Sequence, residues 1–243
     1  LSNLLKKFNL KNLLIFYPSL RIYLAAKIAG IKNIWIYSLL KKKKLHLIKA
    51  AKKLTENFLD IDNCPTETNF FINKKKLSKV NQECDTNKYK IVIGAGSSGP
   101  TTRWGSKNFS ELINQLNELD DYFFFILCGP NEKDIENQIT SNLGKKNFLT
   151  LSDKKIKDLI PYLYASDMYV GNDSFGSHVT SQCGKKSIVM LLDAPKAYTD
   201  YSINYHRVIP SGYNIEEITH GTNADPNLIS VKEIVNLINQ LKN

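Results

Sequence analysis

Apolar residues fall along this chain in two spacings, and the change between them lays out the predicted elements. Tyr89-Lys-Ile-Val-Ile93 and Tyr122-Phe-Phe-Phe-Ile-Leu127 are short, nearly unbroken apolar runs, the pattern of strands buried on both faces. Lys107-Asn-Phe-Ser-Glu-Leu-Ile-Asn-Gln-Leu116 instead has its apolar residues at helical spacing. Continued along the chain, the pattern predicts strands at 89–93, 122–128, 147–150, 167–171 and 187–192, with helices at 107–119, 131–143, 155–165 and 175–183 between them. Ser230-Val-Lys-Glu233 fits a capping box that opens a last helix, running through Leu241. This alternation predicts a doubly wound, parallel-sheet (Rossmann-like) α/β domain over residues 86–243.

Ahead of residue 86 the pattern is thinner. Leu13–Tyr17 reads as a strand, Leu20–Ala29 as a helix ended by Gly30, and Asn33–Tyr37 as a second strand. A basic helix follows from Leu45 to Phe58, then a polar connector over 60–88 with one short strand, Phe70–Ile72, and one turn of helix. Residues 1–85 are therefore expected to be the end of an N-terminal α/β domain with its connector, a shift in composition marking the boundary.

Ligands of such sheets bind at the carboxyl ends of the strands, and two loops there carry chemistry. The strand Asp167–Gly171 delivers Asp173 and Ser174 to a turn that runs directly into a helix. Free backbone amides and the positive end of a helix dipole meet at such a turn, a seat for phosphate. Asp173 adds an acceptor for sugar hydroxyls, and His178 comes round onto the same helix face as Ser174. The plainer alternatives are a capping role for Asp173 and a packing role for His178. Upstream, Gly94-Ala-Gly-Ser-Ser-Gly-Pro-Thr-Thr-Arg-Trp-Gly105 follows the first strand of the domain. Its amides, the hydroxyls of Ser97, Ser98, Thr101 and Thr102, and the Arg103 guanidinium together suit a diphosphate. Trp104 reads as a packing anchor for this loop. Gly94-x-Gly-x-x-Gly99 also satisfies the dinucleotide fingerprint, so an NAD-dependent reductase and a purely structural turn stay open. Against NAD, Pro100 and Gly105 delay the helix, and Cys128 stands where an acidic residue should end the next strand. A Ser/His/Asp hydrolase is a poor fit, because Asp173, Ser174 and His178 share one turn and no G-x-S-x-G elbow is present.

The two loops, in this order and separation, resemble the C-terminal domain of glycosyltransferase family 9, whose best-known members are ADP-heptose:lipopolysaccharide heptosyltransferases. That family carries a Gly/Ser/Thr loop followed by Lys-Arg-Trp-Pro or similar, then an Asp-Ser-Gly-x-x-His turn. The matching residues are Ser97, Ser98, Thr101, Thr102, Arg103 and Trp104, then Asp173, Ser174, Gly176 and His178. Between them Phe124-Phe-Ile-Leu-Cys-Gly-Pro-Asn-Glu132 is similar to the segment whose Glu contacts the nucleotide ribose in the family. Thr102 replaces the family's phosphate-binding Lys, which leaves the positive charge to Arg103, and Phe175 stands where Gly is common. The resemblance implies a GT-B-like fold and an inverting, metal-independent transfer of a sugar, heptose by analogy, from a nucleotide-diphospho-sugar such as ADP-heptose. The implied acceptor is a lipopolysaccharide core or related phosphorylated glycolipid, with no cofactor besides the donor. The implied donor-binding set is Ser97, Ser98, Thr101, Thr102, Arg103, Glu132, Asp173, Ser174, Gly176 and His178. The general base belongs to the family's N-terminal domain and is expected upstream of Leu1, the chain itself reading as a fragment. A non-catalytic nucleotide or glycan-phosphate binding module is the rival from another class. For the segment 153–155, position alone suggests backbone contact with a nucleobase.

Composition narrows the partners. The chain has 243 residues and 33 Lys+Arg against 23 Asp+Glu, a net charge of +10 that favours anionic partners. Lys41-Lys-Lys-Lys44 and Lys74-Lys-Lys76 are the densest clusters. They read first as a solvated face and next as contact with an acidic membrane surface or phosphorylated acceptor. Nucleic acid is disfavoured, since no aromatics are interleaved with the lysines. Cys64, Cys84, Cys128 and Cys183 are scattered, as are the four histidines, so reduced thiols and no metal site are expected. No signal peptide is visible and no apolar run approaches the roughly 18 residues of a membrane span. A cytoplasmic location is expected, with peripheral contact at the inner membrane as the reading of the basic excess.

Overall fold

The computed structural model describes residues 1–38, 46–68, 70–119, 121–141, 143 and 147–242. These form two compact units, Leu1–Thr66 and Glu67–Asn243. The first contains α1 (Ser2–Lys7), β1 (Asn12–Ile15), α2 (Leu20–Ile28), β2 (Asn33–Ile36) and α3 (Leu47–Leu59). β1 and β2 pair in parallel, with Asn12 opposite Asn33, so α2 is the crossover of a β-α-β unit. Ser19 caps α2 by accepting from the Ile22 amide at 3.3 Å, and Gly30 follows its end at φ +83°, a conformation suited to glycine. The cluster Lys41–Lys44 lies outside the described residues.

The second unit runs α4 (Lys74–Glu83), β3 (Tyr89–Gly94), α5 (Ser106–Leu119), β4 (Tyr122–Leu127), α6 (Lys133–Thr140), β5 (Phe148–Thr150), α7 (Ile156–Ala165), β6 (Met168–Asn172), α8 (Phe175–Gln182), β7 (Lys186–Met190), β8 (Tyr205–Val208) and α9 (Val231–Lys242). Its six strands are all parallel, in the order β5-β4-β3-β6-β7-β8. The chain therefore winds one way from β3 and the other way from β6, and these two strands flank the switch point where Rossmann-like sheets open a crevice. All six residues of β4 are buried. Phe124 and Ile126 join Ile91, Ile93 and the inner face of α5 (Phe109, Leu112, Ile113, Leu116) on one side. Phe123, Phe125 and Leu127 join Leu159 and Leu163 of α7 on the other. A strand with helices on both faces has no polar side, which is why its sequence does not alternate.

Four features depart from the sequence expectation. Residues 70–72 form no strand, and Phe71 is 96% exposed. The expected single helical turn is the ten-residue α4, capped by Asn73, whose side chain accepts from the amides of Lys75 (2.9 Å) and Lys76 (3.4 Å). α4 packs on α7: Val80 is buried beside Leu159, and the Tyr162 hydroxyl donates to Glu83 at 2.5 Å. That packing draws the connector into the second unit and puts the division at Thr66 and Glu67, upstream of residue 86. Finally β8, unannounced by Tyr205-His-Arg-Val208, adds an edge strand in register from Ser187/Tyr205 to Met190/Val208.

Candidate functional site

The loops after β3 and β6 meet at the switch point and are tied together by one buried side chain. Asn172 ends β6 with no solvent exposure. Its Nδ2 donates to the Ala95 carbonyl and its Oδ1 accepts from the Trp104 amide, both at 2.8 Å. Trp104 is the packing anchor its sequence position suggests: it is wholly buried, its Nε1 donates to the Ile229 carbonyl at 2.9 Å, and its ring meets Phe109 edge-on at 5.0 Å. The Tyr169 phenol fills the space between the strand ends. A Cβ on Gly94 would lie 1.9 Å from its hydroxyl, and one on Gly176 would lie 2.8 Å from its ring and 2.5 Å from Leu127. Gly176 is thus required first by packing.

A second latch holds the β3 loop to the loop after β4. The Glu132 carboxylate accepts from the amides of Ser97 (2.9 Å) and Gly129 (2.7 Å) and from Arg103 Nη2 (2.7 Å). Arg103 Nη2 also donates to the Ser97 carbonyl at 3.0 Å, while its Nε is buried without a partner among the described residues. The Glu132 side chain is 14% exposed and that of Arg103 30%. Gly96 makes room for this carboxylate, since a Cβ there would stand 2.3 Å from Glu132 Oε2. Glu132 and Arg103 therefore have a loop-shaping role that the sequence reading did not anticipate.

The two latches frame a cleft of about 640 Å³, within the usual range for small-molecule sites. Of the ten expected donor-site residues, Ser97, Ser98, Arg103, Glu132, Asp173, Ser174 and Gly176 line it together. Ser152, Lys154 and Ile156 line it as well, whereas Asp153 and Lys155 face a neighbouring groove. Thr101, Thr102 and His178 are not among the lining residues. The 3-10 turn at Pro100–Thr102 ties both threonine hydroxyls to protein groups, Thr101 to Asp193 at 2.6 Å, and Thr102 to the Gly99 carbonyl at 2.8 Å and the Ser97 hydroxyl. His178 lies behind Asp173, its Nε2 3.2 Å from Oδ1.

The first turn of α8 opens on this cleft. Ser174 is its N-cap residue, and the Ser177 hydroxyl accepts from the Ser174 amide at 3.2 Å. Asp173 does not cap. It turns to Tyr205, whose hydroxyl donates to Oδ1 at 2.8 Å. The amides of Phe175 and Gly176 in the first turn of α8 have no carbonyl partner within the helix, so the cleft receives a dipole end, and Arg103 and Asp173 both line it. Burial pushes the Cys128 thiol at the cleft wall up to about 12, and the nearby Glu136 and Glu132 add to the shift. Burial also raises Tyr201 to about 12 and Tyr205 further, the latter with the charge and hydrogen bond of Asp173 contributing. Tyr201, Tyr205, Asn172 and Asp193 are site-supporting residues the sequence reading missed. Only Asn172 had a visible signal, lying within the Gly-Asn-Asp-Ser run at a strand end. Among the described residues no three His, Cys, Asp or Glu side chains are grouped as a metal site requires, and no helix is long and apolar enough to cross a membrane.

Comparison with known proteins gives the same picture. E. coli ADP-heptose LPS heptosyltransferase II shares the fold with a TM-score of 0.71 and 15% identity, covering 99% of this chain and 78% of that one. A glycosyltransferase family 9 protein from Veillonella parvula DSM 2008 gives 0.72 at 14% identity, covering 99% and 77%. E. coli heptosyltransferase WaaC, solved with ADP, gives 0.70 at 13% identity, covering 98% and 75%. Comparison with curated proteins gives no match. The model of glycosyltransferase family 9 (heptosyltransferase) matches residues 30–210. With a GT-B-like parallel sheet beneath that match, the chain belongs to glycosyltransferase family 9 and is a glycosyltransferase.

Proposed function

We propose that this cleft holds the diphosphate and sugar of a nucleotide-diphospho-sugar, ADP-heptose by analogy, for inverting transfer to a lipopolysaccharide-core or related acceptor. The observation that carries the reading is the convergence of Arg103 and Asp173, from loops about seventy residues apart in sequence, on one cleft at the switch point. WaaC has been solved with ADP and with ADP-2-deoxy-2-fluoro heptose, and the second structure is similar to this chain with a TM-score of 0.60 at 14% identity. In the proposed reaction an acceptor oxygen attacks the anomeric carbon as the bond to the diphosphate breaks. Negative charge grows on the leaving diphosphate, where the α8 amides and Arg103 stabilise it. That arrangement takes the place of a divalent ion, so transfer is proposed to be metal-independent, with no cofactor. Asp173 orients the donor sugar through its hydroxyls. Of the donor-site residues, Ser97, Ser98 and Ser174 supply further polar contacts, while Thr101 and Thr102 act by shaping the loop. The acceptor's base lies outside this set. The net charge of +10 supports a phosphorylated acceptor and peripheral work at the cytoplasmic face of the inner membrane.

The test is calorimetric titration of ADP and ADP-heptose, followed by mass-spectrometric detection of transfer to a lipopolysaccharide-core acceptor with and without a chelator. Absence of binding by either nucleotide overturns the reading. Binding without transfer moves it to the non-catalytic module, and transfer abolished by chelation removes the metal-independent step.

A further inference from the structure

We propose that Tyr205 and His178 are positioning residues that hold the Asp173 carboxylate by one oxygen and present the other to a donor sugar, with Tyr201 fixing the His178 ring. The inference rests on the nucleotide-sugar reading of the cleft and deepens it. Asp173 lines the cleft, yet its side chain is only 12% exposed. Both of its contacts converge on Oδ1: the Tyr205 hydroxyl at 2.8 Å and His178 Nε2 at 3.2 Å. Among the described residues no hydrogen bond reaches Oδ2. A carboxylate held at one oxygen by the Tyr205 hydroxyl, with the His178 ring nitrogen 3.2 Å from that same oxygen, cannot rotate freely, and its other oxygen meets a ligand hydroxyl in a set direction.

The donors behind it are themselves held. His178 Nδ1 lies 2.5 Å from the Tyr201 hydroxyl, which also lies 3.3 Å from Ser181 Oγ. The two ring nitrogens of His178 thus each face an oxygen, Nε2 that of Asp173 and Nδ1 that of Tyr201. The ring stacks on Tyr205 (centroids 5.7 Å apart, planes 17° apart) and leans on Tyr201 (5.6 Å, 36°), and the two tyrosines meet at 5.2 Å. Tyr205 is 6% exposed and opens β8, so this edge strand brings the hydroxyl to the end of β6 from across β7. The arrangement assigns β8 a function beyond completing the sheet.

The experiment measures affinity for ADP and for ADP-heptose by calorimetry on the full chain, in the wild type and in Tyr205→Phe, His178→Ala, His178→Gln and Tyr201→Phe. ADP lacks the sugar, so it reports the diphosphate seat alone. The expected result for Tyr205→Phe is ADP binding within about two-fold of wild type and ADP-heptose binding weakened about ten-fold, the scale of one hydrogen bond to a charged group. His178→Ala should behave likewise, His178→Gln, which keeps a donor on a side chain of similar reach, should recover part of the loss, and Tyr201→Phe should show a smaller effect of the same kind. Equal weakening of both nucleotides by Tyr205→Phe would mean a merely structural residue and overturns the proposal, as does no change in either. Wild-type protein that binds ADP but gains nothing from the sugar overturns it too, leaving the diphosphate site standing. Wild-type protein that binds neither removes the nucleotide-sugar reading beneath it.

Discussion

Replacing Glu132 by Ala tests the latch that shapes the cleft. The change strips the acceptor from the amides of Ser97 and Gly129 and the counter-charge from Arg103. Each amide loses a charge-assisted bond beside an open cleft, where water recovers part of the loss. Each therefore contributes about 1 kcal/mol. The ion pair, with Arg103 30% and Glu132 14% exposed, adds about 1 kcal/mol after solvent screening. A total of about 3 kcal/mol corresponds to a fall in Tm of roughly 6–12 °C for a unit of this size. Glu132→Gln keeps one carbonyl oxygen and should lose about half as much. The assay is differential scanning calorimetry of the endotherm assigned to residues 67–243, paired with ADP titration, where both variants should weaken because the Ser97 loop is released. A fall in Tm below about 2 °C for Glu132→Ala would refute the latch and return Glu132 to a ligand contact alone.

The other predictions are read from single contacts. Gly96→Ala places a methyl 2.3 Å from Glu132 Oε2, so it should cost about 1–3 kcal/mol in thermal unfolding and weaken ADP binding in parallel with Glu132→Gln. Asp173→Asn should weaken ADP-heptose about ten-fold by calorimetry while Tm moves by no more than about 3 °C, because the α8 N-cap position belongs to Ser174. A large loss of Tm would restore the capping role. Cys128 and Tyr201 keep their protons to about pH 12 in the folded chain but release them earlier when unfolded. The unfolded state then binds fewer protons, so stability is full below about pH 8.5, the ordinary thiol range, and falls as pH rises from there toward 12. Melting curves at several alkaline pH values should show that decline, and a constant Tm would contradict the burial of both groups.

The order of strands and helices in the second unit was legible because β4 and its neighbours are buried on both faces, and such strands stand out against amphipathic helices such as α5. The convergence of Arg103 and Asp173 followed from the rule that ligands sit at strand ends, which needs topology and no side-chain detail. β8 was hidden because it is an edge strand: His206 and Arg207 break any apolar run, and its pairing to β7 is a long-range fact. α4 was understated because its one buried residue, Val80, is surrounded by lysines that look like a solvated connector. The directions of the Thr101 and Thr102 hydroxyls, the Glu132 latch and the tyrosines behind Asp173 depend on loop conformation, which residue types alone do not specify. Arg103 shows the limit most directly, since its charge suits a diphosphate while its position beside Glu132 is set by a turn of chain elsewhere.

The phenol of Tyr169 has a consequence for how this chain can change over time. At Gly94 the three nearest atoms a new methyl would meet all belong to that one side chain, whereas at Gly171 it would also strike the Gly94 backbone. A smaller residue at 169 would therefore remove the nearest obstacle at position 94 and leave the backbone contacts at 171. Substitutions here are ordered: the tyrosine must shrink before the first glycine can grow, and the reverse order sets the new methyl 1.9 Å from the Tyr169 hydroxyl.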